Sequence, residues 1–182
     1  MRLFLAIDIP EDIKKSISKQ LEPLKKQYPD IKWVPEKNYH ITLFFFGDTY
    51  EQKPLVEHIE NITYDTNEFH LFSGENGIFM KHDLTFYLGF LKSPPIEQLV
   101  KRLKQELGIN NDLSFFPHLT VAKYRIPSKQ QYLLLKKKWL QQTDIDVEFP
   151  VTQITLFESV IEENVPTYAP QAKFPLLLRG DH

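Results

Sequence analysis

The 182-residue chain contains no cysteine, and this absence excludes several kinds of site at once. Disulfides, thiolate zinc sites, iron–sulfur clusters and cysteine nucleophiles all require a thiol group. The same absence is typical of proteins in a reducing compartment, and we expect this protein to be cytoplasmic. Glycine is also scarce, with six residues. No glycine-rich loop of the kind that cradles a phosphate is present.

A strong excess of either charge is also missing. The chain has 22 Lys+Arg against 24 Asp+Glu, and its formal net charge is −2. Binding of a long nucleic-acid duplex depends on many phosphate contacts, and this composition does not favour such binding. A small anionic ligand or one end of an RNA is compatible with it.

Long hydrophobic runs are absent as well. The densest one, Leu43–Phe46, is far shorter than the roughly 20 residues that a membrane helix needs. The apolar start of the chain meets Asp8 and Pro10 before it reaches the length of a signal peptide. We therefore expect no membrane association and no targeting segment.

The residues that are present predict a globular protein with alternating strands and helices. Hydrophobic residues make up 42% and charged residues 25% of the chain, as in ordinary globular proteins. Apolar spacing predicts an amphipathic helix over 11–27 with its lysines outside. Further helices are expected around 55–62, 94–107 and 129–139. Strands are expected at 3–7, 31–34, 39–46, 68–72, 78–79, 84–91, 118–124, 147–159 and 169–178.

The predicted elements follow the same order twice, over residues 2–72 and again over 84–158. Each half reads strand, helix, strand bearing a His-x-Thr, helix, strand. The match is one of element order, with little sequence identity, and indicates an internal duplication. We predict an α+β fold in which two halves related by a pseudo-two-fold form paired lobes. Mixed, mainly antiparallel sheets would surround a central cleft, in a single bilobal domain over 1–182.

Two tetrads occupy matching positions in these halves. Motif 1 is His40-Ile41-Thr42-Leu43, and motif 2 is His118-Leu119-Thr120-Val121. Strand side chains alternate in direction, so the histidine and threonine of each motif share one face. From composition alone, two such tetrads arise by chance with a probability on the order of 0.002. If a pseudo-two-fold axis relates the halves, it brings the two motifs together at one cleft.

Two imidazoles and two hydroxyls suit a phosphodiester. An imidazole titrates near neutral pH, so one histidine can remove a proton from a nucleophile while the other gives one to a leaving oxygen. Threonine hydroxyls can donate hydrogen bonds to phosphate oxygens. This chemistry needs no metal and no cofactor. A zinc site is the competing interpretation, but it requires a third protein ligand, and none is evident.

These residues resemble the two-histidine phosphoesterase superfamily, which is defined by paired His-x-Thr-x motifs. More closely, the chain resembles the bacterial and archaeal RNA 2′,3′-cyclic phosphodiesterases, also called 2′-5′ RNA ligases. The likeness runs over nearly the whole chain. It is carried by the opening strand Met1–Pro10, by Trp33-Val34-Pro35 with Asn38–Leu43 and Phe46-Gly47, by Phe116–Ala122, and by Leu156–Ser159, Tyr168 and Phe174–Leu176.

The resemblance implies roles for particular residues. His40 would be the proton donor and His118 the proton acceptor, while Thr42 and Thr120 would bind the phosphate. Water would open a 2′,3′-cyclic phosphate on an RNA end or a nucleoside and leave a 2′-phosphate, with 2′-5′ RNA ligation as a side activity. Where many relatives have arginine, Lys123 keeps the positive charge but loses bidentate geometry. We expect a monomer.

Other interpretations stay open at this point. An ADP-ribose cyclic phosphate is an alternative substrate, and binding of nucleotides or RNA ends without catalysis is an alternative function. Phe44 and Phe46 share the His40 face by alternation, so they are candidates to line the cleft or stack a base, although core packing is expected for at least one of them. The remaining histidines are expected to be non-catalytic; they are His58, His70, His82 and His182.

Overall fold

The computed structural model describes residues 2–48, 51–108 and 114–178 and has four helices and ten strands within these ranges. The helices are α1 (Glu11–Gln27), α2 (Gln52–Thr63), α3 (Pro94–Glu106) and α4 (Lys129–Gln142). The strands are β1 (Arg2–Asp8), β2 (Lys32–Trp33), β3 (His40–Asp48), β4 (Phe69–Phe72), β5 (Gly77–Met80), β6 (Leu84–Gly89), β7 (His118–Tyr124), β8 (Glu148–Val151), β9 (Gln153–Glu162) and β10 (Val165–Pro175).

One sheet crosses both halves of the chain. Its strand order is β10-β9-β1-β3-β7-β6-β5, and β2 pairs with β7 beside β3. A second, two-stranded sheet joins β4 to β8. The named strand pairs within the described ranges are all antiparallel. The expected α+β fold with mainly antiparallel sheets is confirmed.

The pairing of β1 with β3 is repeated by the pairing of β6 with β7. His40 lies opposite Asp8 in the first pair, and His118 lies opposite Gly89 in the second. In each motif strand the residue just after the threonine, Leu43 or Val121, has no partner residue, so both pairs carry a β-bulge at the same place. The two pairs therefore agree in register from the histidine to the bulge after the threonine, and β3 has a second bulge, at Phe46, that β7 lacks.

The main hydrophobic core lies on the sheet face opposite the two histidines. Alternate residues of β1 enter this core, for example Leu3, Leu5 and Ile7, each at most 1% exposed. The face that carries the histidines has a separate small cluster of Phe4, Ala6 and Phe157 with Tyr168 against it. The site thus has an apolar wall of its own, independent of the core.

Residues typical of helix ends lie at the ends of α1, α3 and α4. α1 has the predicted bounds, with Glu11 and Asp12 in its first turn and lysines in its last, which complements the helix dipole. Ser128 caps α4 in a capping box. Ser93 precedes α3 at the position where a capping serine is expected, but its side chain makes no capping bond. Gly108 has φ +66°, as expected just after a helix.

Local pattern mispredicts the strand over 147–159 and the position of Lys14. The long strand expected over 147–159 is two strands, because β8 pairs with β4 in the small sheet whereas β9 pairs with β1. Lys14 is predicted on the outer face of α1, yet it is 3% exposed. None of the described helices is long and apolar enough to cross a membrane.

Candidate active site

Motif 1 and motif 2 meet at the centre of the large sheet. β3 and β7 pair through Ile41 and Leu119, which are the central residues of the two motifs. In an antiparallel pair, the residue before one partner lies beside the residue after the other. The histidine of each motif therefore lies beside the threonine of the other. All four of these polar side chains are half-buried, so they remain reachable from solvent.

The same hydrogen bond orients both imidazoles. His40 Nδ1 lies 2.7 Å from the carbonyl oxygen of Asn38, and His118 Nδ1 lies 2.8 Å from that of Phe116. A carbonyl oxygen only accepts, so each Nδ1 carries the hydrogen and donates it. Nε2 is then the nitrogen of each ring that can accept or give a proton.

The carbonyl that orients His40 is itself anchored by long-range contacts. Asn38 is 4% exposed, and its side-chain Nδ2 donates to the Pro166 carbonyl oxygen over 2.7 Å. This bond ties the 3₁₀ turn Glu36–Asn38 to β10. The orientation of His40 thus depends on a strand more than 120 residues away in sequence.

Aromatic rings enclose His40 on the motif 1 side. Phe4 lies 5.0 Å from the imidazole between ring centroids, and Tyr168 meets it edge-on at 4.9 Å. Phe157 stacks on Phe4 and lies 6.5 Å from His40. Burial among these rings is the largest influence on the pKa of His40 and lowers it, because the charged imidazolium loses solvation. Burial likewise raises the pKa of the Tyr168 hydroxyl.

Aromatic rings also enclose His118, but from different elements. Phe116 stacks on the imidazole at 5.8 Å with an interplanar angle of 14°. Phe79 and Tyr87 meet it edge-on at 5.2 and 5.8 Å. Local sequence pattern does not reveal Phe4, Phe79 and Tyr87 as site residues, because their strands reach the motifs only through strand pairings of the folded sheet.

Charged side chains lie near the imidazole of His40. Asp8, which lies opposite it, binds Lys14 over 2.8 Å, and Lys14 also contacts Glu11 at 3.1 Å. Burial lowers the pKa of Lys14, but its bonds to both carboxylates outweigh that, so the net shift is upward. The Asp8 carboxylate raises the pKa of His40, while the charges of Lys14 and His118 lower it further.

The bulge after each threonine decides which later residue joins the site face. In β3, the residue opposite Phe4 is Phe45, and in β7 the equivalent residue is Lys123, opposite Thr85. Phe45 is 70% exposed, and its ring lies 5.8 Å from that of Phe4. Both residues stand three positions after the motif threonine.

The prediction that Phe44 and Phe46 share the His40 face is therefore wrong. These two rings contact each other at 5.0 Å and pack against the main core. Simple alternation fails here because the bulge inserts one extra residue and reverses the faces of Phe44 and Phe45. The aromatic residue on the site face is Phe45 instead.

The remaining histidines of the described ranges lie elsewhere. His58 is on α2, His70 is on β4 opposite Pro150, and His82 precedes β6. His182 lies outside the described residues. Within the described residues, no three histidine, aspartate or glutamate side chains are grouped closely enough to hold a metal ion. The structure brings together the two histidines and two threonines of the motifs, with Lys123 further along the same face.

Comparison with known proteins identifies the family. A family model described as the 2′-5′ RNA ligase superfamily matches residues 13–160, a range that contains both motifs. The chain belongs to this superfamily. Relatives named RNA 2′,3′-cyclic phosphodiesterase share 30% identity in Thermotoga maritima and 31% in Methanocaldococcus jannaschii. Each alignment covers 92% of this chain, with 91% and 96% of the respective relative. The family expected from the motifs is confirmed.

Solved structures of similar proteins agree with this superfamily fold. A protein of Thermus thermophilus matches with a TM-score of 0.80 and 21% identity, over 100% of both chains. The apo form of E. coli LigT matches with a TM-score of 0.75 and 24% identity, over 96% of both chains. LigT has also been solved in complex with 3′-AMP.

Proposed function

We propose that this superfamily member hydrolyses the 2′,3′-cyclic phosphate of an RNA end, or of a nucleoside, to a 2′-phosphate. One observation carries the proposal. Two imidazoles, each held by a backbone carbonyl, lie beside two threonine hydroxyls on one face of the sheet. The names of the relatives in T. maritima and M. jannaschii support the same activity.

In the proposed mechanism the two imidazoles act on opposite sides of the phosphorus. His118 Nε2 takes a proton from water as the water oxygen bonds to phosphorus. The bond from phosphorus to O3′ breaks, and His40 Nε2 gives its proton to O3′. The product carries a 2′-phosphate and a 3′-hydroxyl, and exchange with solvent restores both histidines. A 5′-hydroxyl in place of water gives a 2′-5′ linkage by the same transfers, so ligation is proposed as a side activity.

The threonines and Lys123 act on charge in this proposal. The hydroxyls of Thr42 and Thr120 donate to the non-bridging phosphate oxygens, which gain negative charge as water attacks. Lys123 adds a positive charge on the same face, as a point charge without the bidentate geometry of arginine. No metal or cofactor takes part.

The protonation of His40 depends on substrate in this scheme. Burial lowers its pKa in the free protein and favours the neutral ring. A phosphodiester anion bound beside the ring opposes this shift, since an opposite charge nearby stabilises the imidazolium. The donor is thus charged when the substrate is in place.

Phe45 is proposed to contact the nucleoside. It belongs to the motif 1 half, which in this mechanism faces the leaving O3′ and hence the terminal sugar. Its ring is exposed and contacts Phe4, which in turn contacts His40. An exposed ring on this face offers a base a stacking surface.

We also infer that residues 1–182 form one domain, monomeric, to which each half contributes one motif. The pairing of β3 with β7 and one hydrophobic core that contains residues of both halves support this inference. Neither half has a complete site alone.

Product analysis tests the proposed function. Purified protein in EDTA is incubated with 2′,3′-cyclic AMP, with an oligonucleotide ending in a cyclic phosphate, and with an ADP-ribose cyclic phosphate. We expect 2′-phosphate products from the first two substrates, identified by ³¹P NMR. Hydrolysis of the third alone would assign the site to an ADP-ribose cyclic phosphate. Tight binding of all three with no product would instead indicate a non-catalytic nucleotide or RNA-end binder.

A further inference from the structure

Two lysines lie opposite each other at the edge of the sheet face that carries the motifs. Within the described residues, no contact accounts for this placement of two like charges. Lys32 of β2 is the direct antiparallel partner of Lys123 of β7. Like charges directly opposite each other destabilise a pair of strands. Both side chains are exposed, and among the described residues neither ammonium lies within 4.0 Å of a carboxylate.

The lysine pair borders an open cleft. The cleft has a volume of about 570 Å³. Its lining residues are Asp30, Lys32, Asp83, Lys123, Tyr124 and Arg125. Three of these are cationic and two are acidic, and Asp83 accepts a hydrogen bond from Thr85 over 3.3 Å. The lining therefore keeps a net positive charge and two lysines without an ion-pair partner among the described residues.

The lysine pair lies on the same sheet face as the motifs. Lys123 is three residues after Thr120, but the bulge in β7 turns it to the same face. Their partners on β6, Tyr87 and Thr85, are two residues apart. Two residues of a strand span roughly 7 Å. Adjacent phosphates along a nucleic-acid strand are separated by a similar distance. A phosphate bound at Thr120 therefore brings the next phosphate of the same molecule to the lysines.

We propose that Lys32 and Lys123 bind a second phosphate of the substrate, one nucleotide away from the reacting cyclic phosphate. This proposal rests on the proposed function. In an RNA end, the group is the internucleotide phosphate on the 5′ side of the terminal nucleoside. The diphosphate of an ADP-ribose cyclic phosphate offers the same chemistry. A nucleoside 2′,3′-cyclic phosphate lacks any second phosphate and is the poorer substrate.

Lys32 is the residue to change, because it contacts neither motif. The test compares kcat/KM of wild type and Lys32→Ala on a dinucleotide ending in a 2′,3′-cyclic phosphate and on the matching mononucleotide. Lys19→Ala on the exposed face of α1 is the control for loss of one charge. Loss of a hydrogen bond to a charged group should lower kcat/KM about tenfold on the dinucleotide only. The slope of log kcat/KM against log salt should become shallower by about 0.7, the value for one phosphate contact on a single strand.

Several outcomes would overturn the second phosphate site. An equal loss on the dinucleotide and the mononucleotide would do so, as would no loss on either the dinucleotide or an ADP-ribose cyclic phosphate. A loss on an ADP-ribose cyclic phosphate but not on the dinucleotide would keep the site and assign it to a diphosphate. Lys32→Ala removes one of two like charges and should not lower the unfolding midpoint of the protein. A clear drop in that midpoint would show a structural role for Lys32 instead.

A binding measurement separates this proposal from the proposed function. Calorimetry with a dinucleotide that ends in a 3′-phosphate needs no turnover. Wild type should bind it about tenfold more tightly than Lys32→Ala does, and both should bind the mononucleotide 3′-phosphate equally. If the protein hydrolyses nothing, the proposed function fails while this difference still decides the second site.

Discussion

The half that holds His40 and the half that holds His118 share the strand pairing around the motif and differ in the groups around the imidazole. Opposite His40 lies Asp8, whose carboxylate binds the buried Lys14. Opposite His118 lies Gly89, where a side chain would collide with the carbonyl oxygen of Glu75. One histidine thus faces an ion pair, and the other faces a backbone segment.

The position three residues after the motif threonine differs in the same way. It holds the exposed ring of Phe45 in one half and the exposed ammonium of Lys123 in the other. A duplicated backbone therefore presents an apolar surface on one side of the site and a positive charge on the other. We interpret this as the basis of polarity in the site, with the nucleoside on the motif 1 side and phosphate charge on the motif 2 side.

The largest expected effect comes from removing either imidazole. His40→Ala and His118→Ala should each lower kcat/KM on a 2′,3′-cyclic phosphate by at least about 100-fold. A p-nitrophenyl phosphodiester separates the two roles, because its phenolate leaves without a proton. His40→Ala should lose far less on this ester, whereas His118→Ala should lose on both substrates. Recovery by the His118 variant instead would reverse the assignment of donor and acceptor.

The contact between the halves can be broken at its central pair. Ile41 and Leu119 are at most 1% exposed, so Ile41→Ala and Leu119→Ala should each lower the free energy of unfolding by about 3 kcal/mol.

One tryptophan lies in each half, Trp33 and Trp139. Single-tryptophan variants should report coincident urea transitions for both halves if the chain is one domain. Two separate transitions would show that the halves unfold independently.

The bulge after motif 1 separates two neighbouring rings. Phe45→Ala should raise KM about tenfold with little change in kcat, as expected for loss of one stacked base. Phe44→Ala should leave KM unchanged and lower the free energy of unfolding by about 2 kcal/mol, less than for a fully buried phenylalanine. Exchange of these two phenotypes would mean that alternation, and not the bulge, governs the strand in solution.

The smallest expected effect is on pH dependence. The Asp8 carboxylate raises the pKa of His40, so Asp8→Asn should lower it further. A proton donor must be charged, and kcat/KM reports the free protein. The limb that falls with rising pH should therefore move to lower pH. Asp12→Asn, in the exposed first turn of α1, is the matched control. Movement of the rising limb instead would make His40 the acceptor.

The stability of the fold should also depend on the protonation of His40. Its pKa is lower in the folded protein than in the unfolded chain, where it is near 6.5. The unfolded chain therefore binds more protons as pH falls through 6.5, and the folded state loses stability in that direction. His40→Gln should reduce this loss, as measured by urea unfolding at pH 5.5 and 7.5.

Local chemistry made much of the fold predictable. α1 has the predicted bounds because apolar residues recur at helical spacing and charges complement its ends. Ser128 caps α4 because Gln131 stands three residues later and completes the capping box. The motif strands were predictable because alternation holds from each histidine to its threonine.

Predictions failed where contacts outside a single strand or helix decide where a side chain lies. Alternation places Phe44 and Phe46 on the wrong face because a bulge depends on register with β1. Lys14 is buried because Asp8 and Glu11 surround its ammonium, which helical periodicity does not reveal.

The sequence by itself determined the two motifs, the order of elements in each half and the direction of every motif side chain. These follow from residue type and short-range spacing along one strand or helix. The tertiary structure alone decided that the motifs meet at Ile41 and Leu119 and that Lys32 lies opposite Lys123. Strand register joins residues 78 and 91 positions apart, and such pairing depends on packing of the whole sheet, not on local spacing.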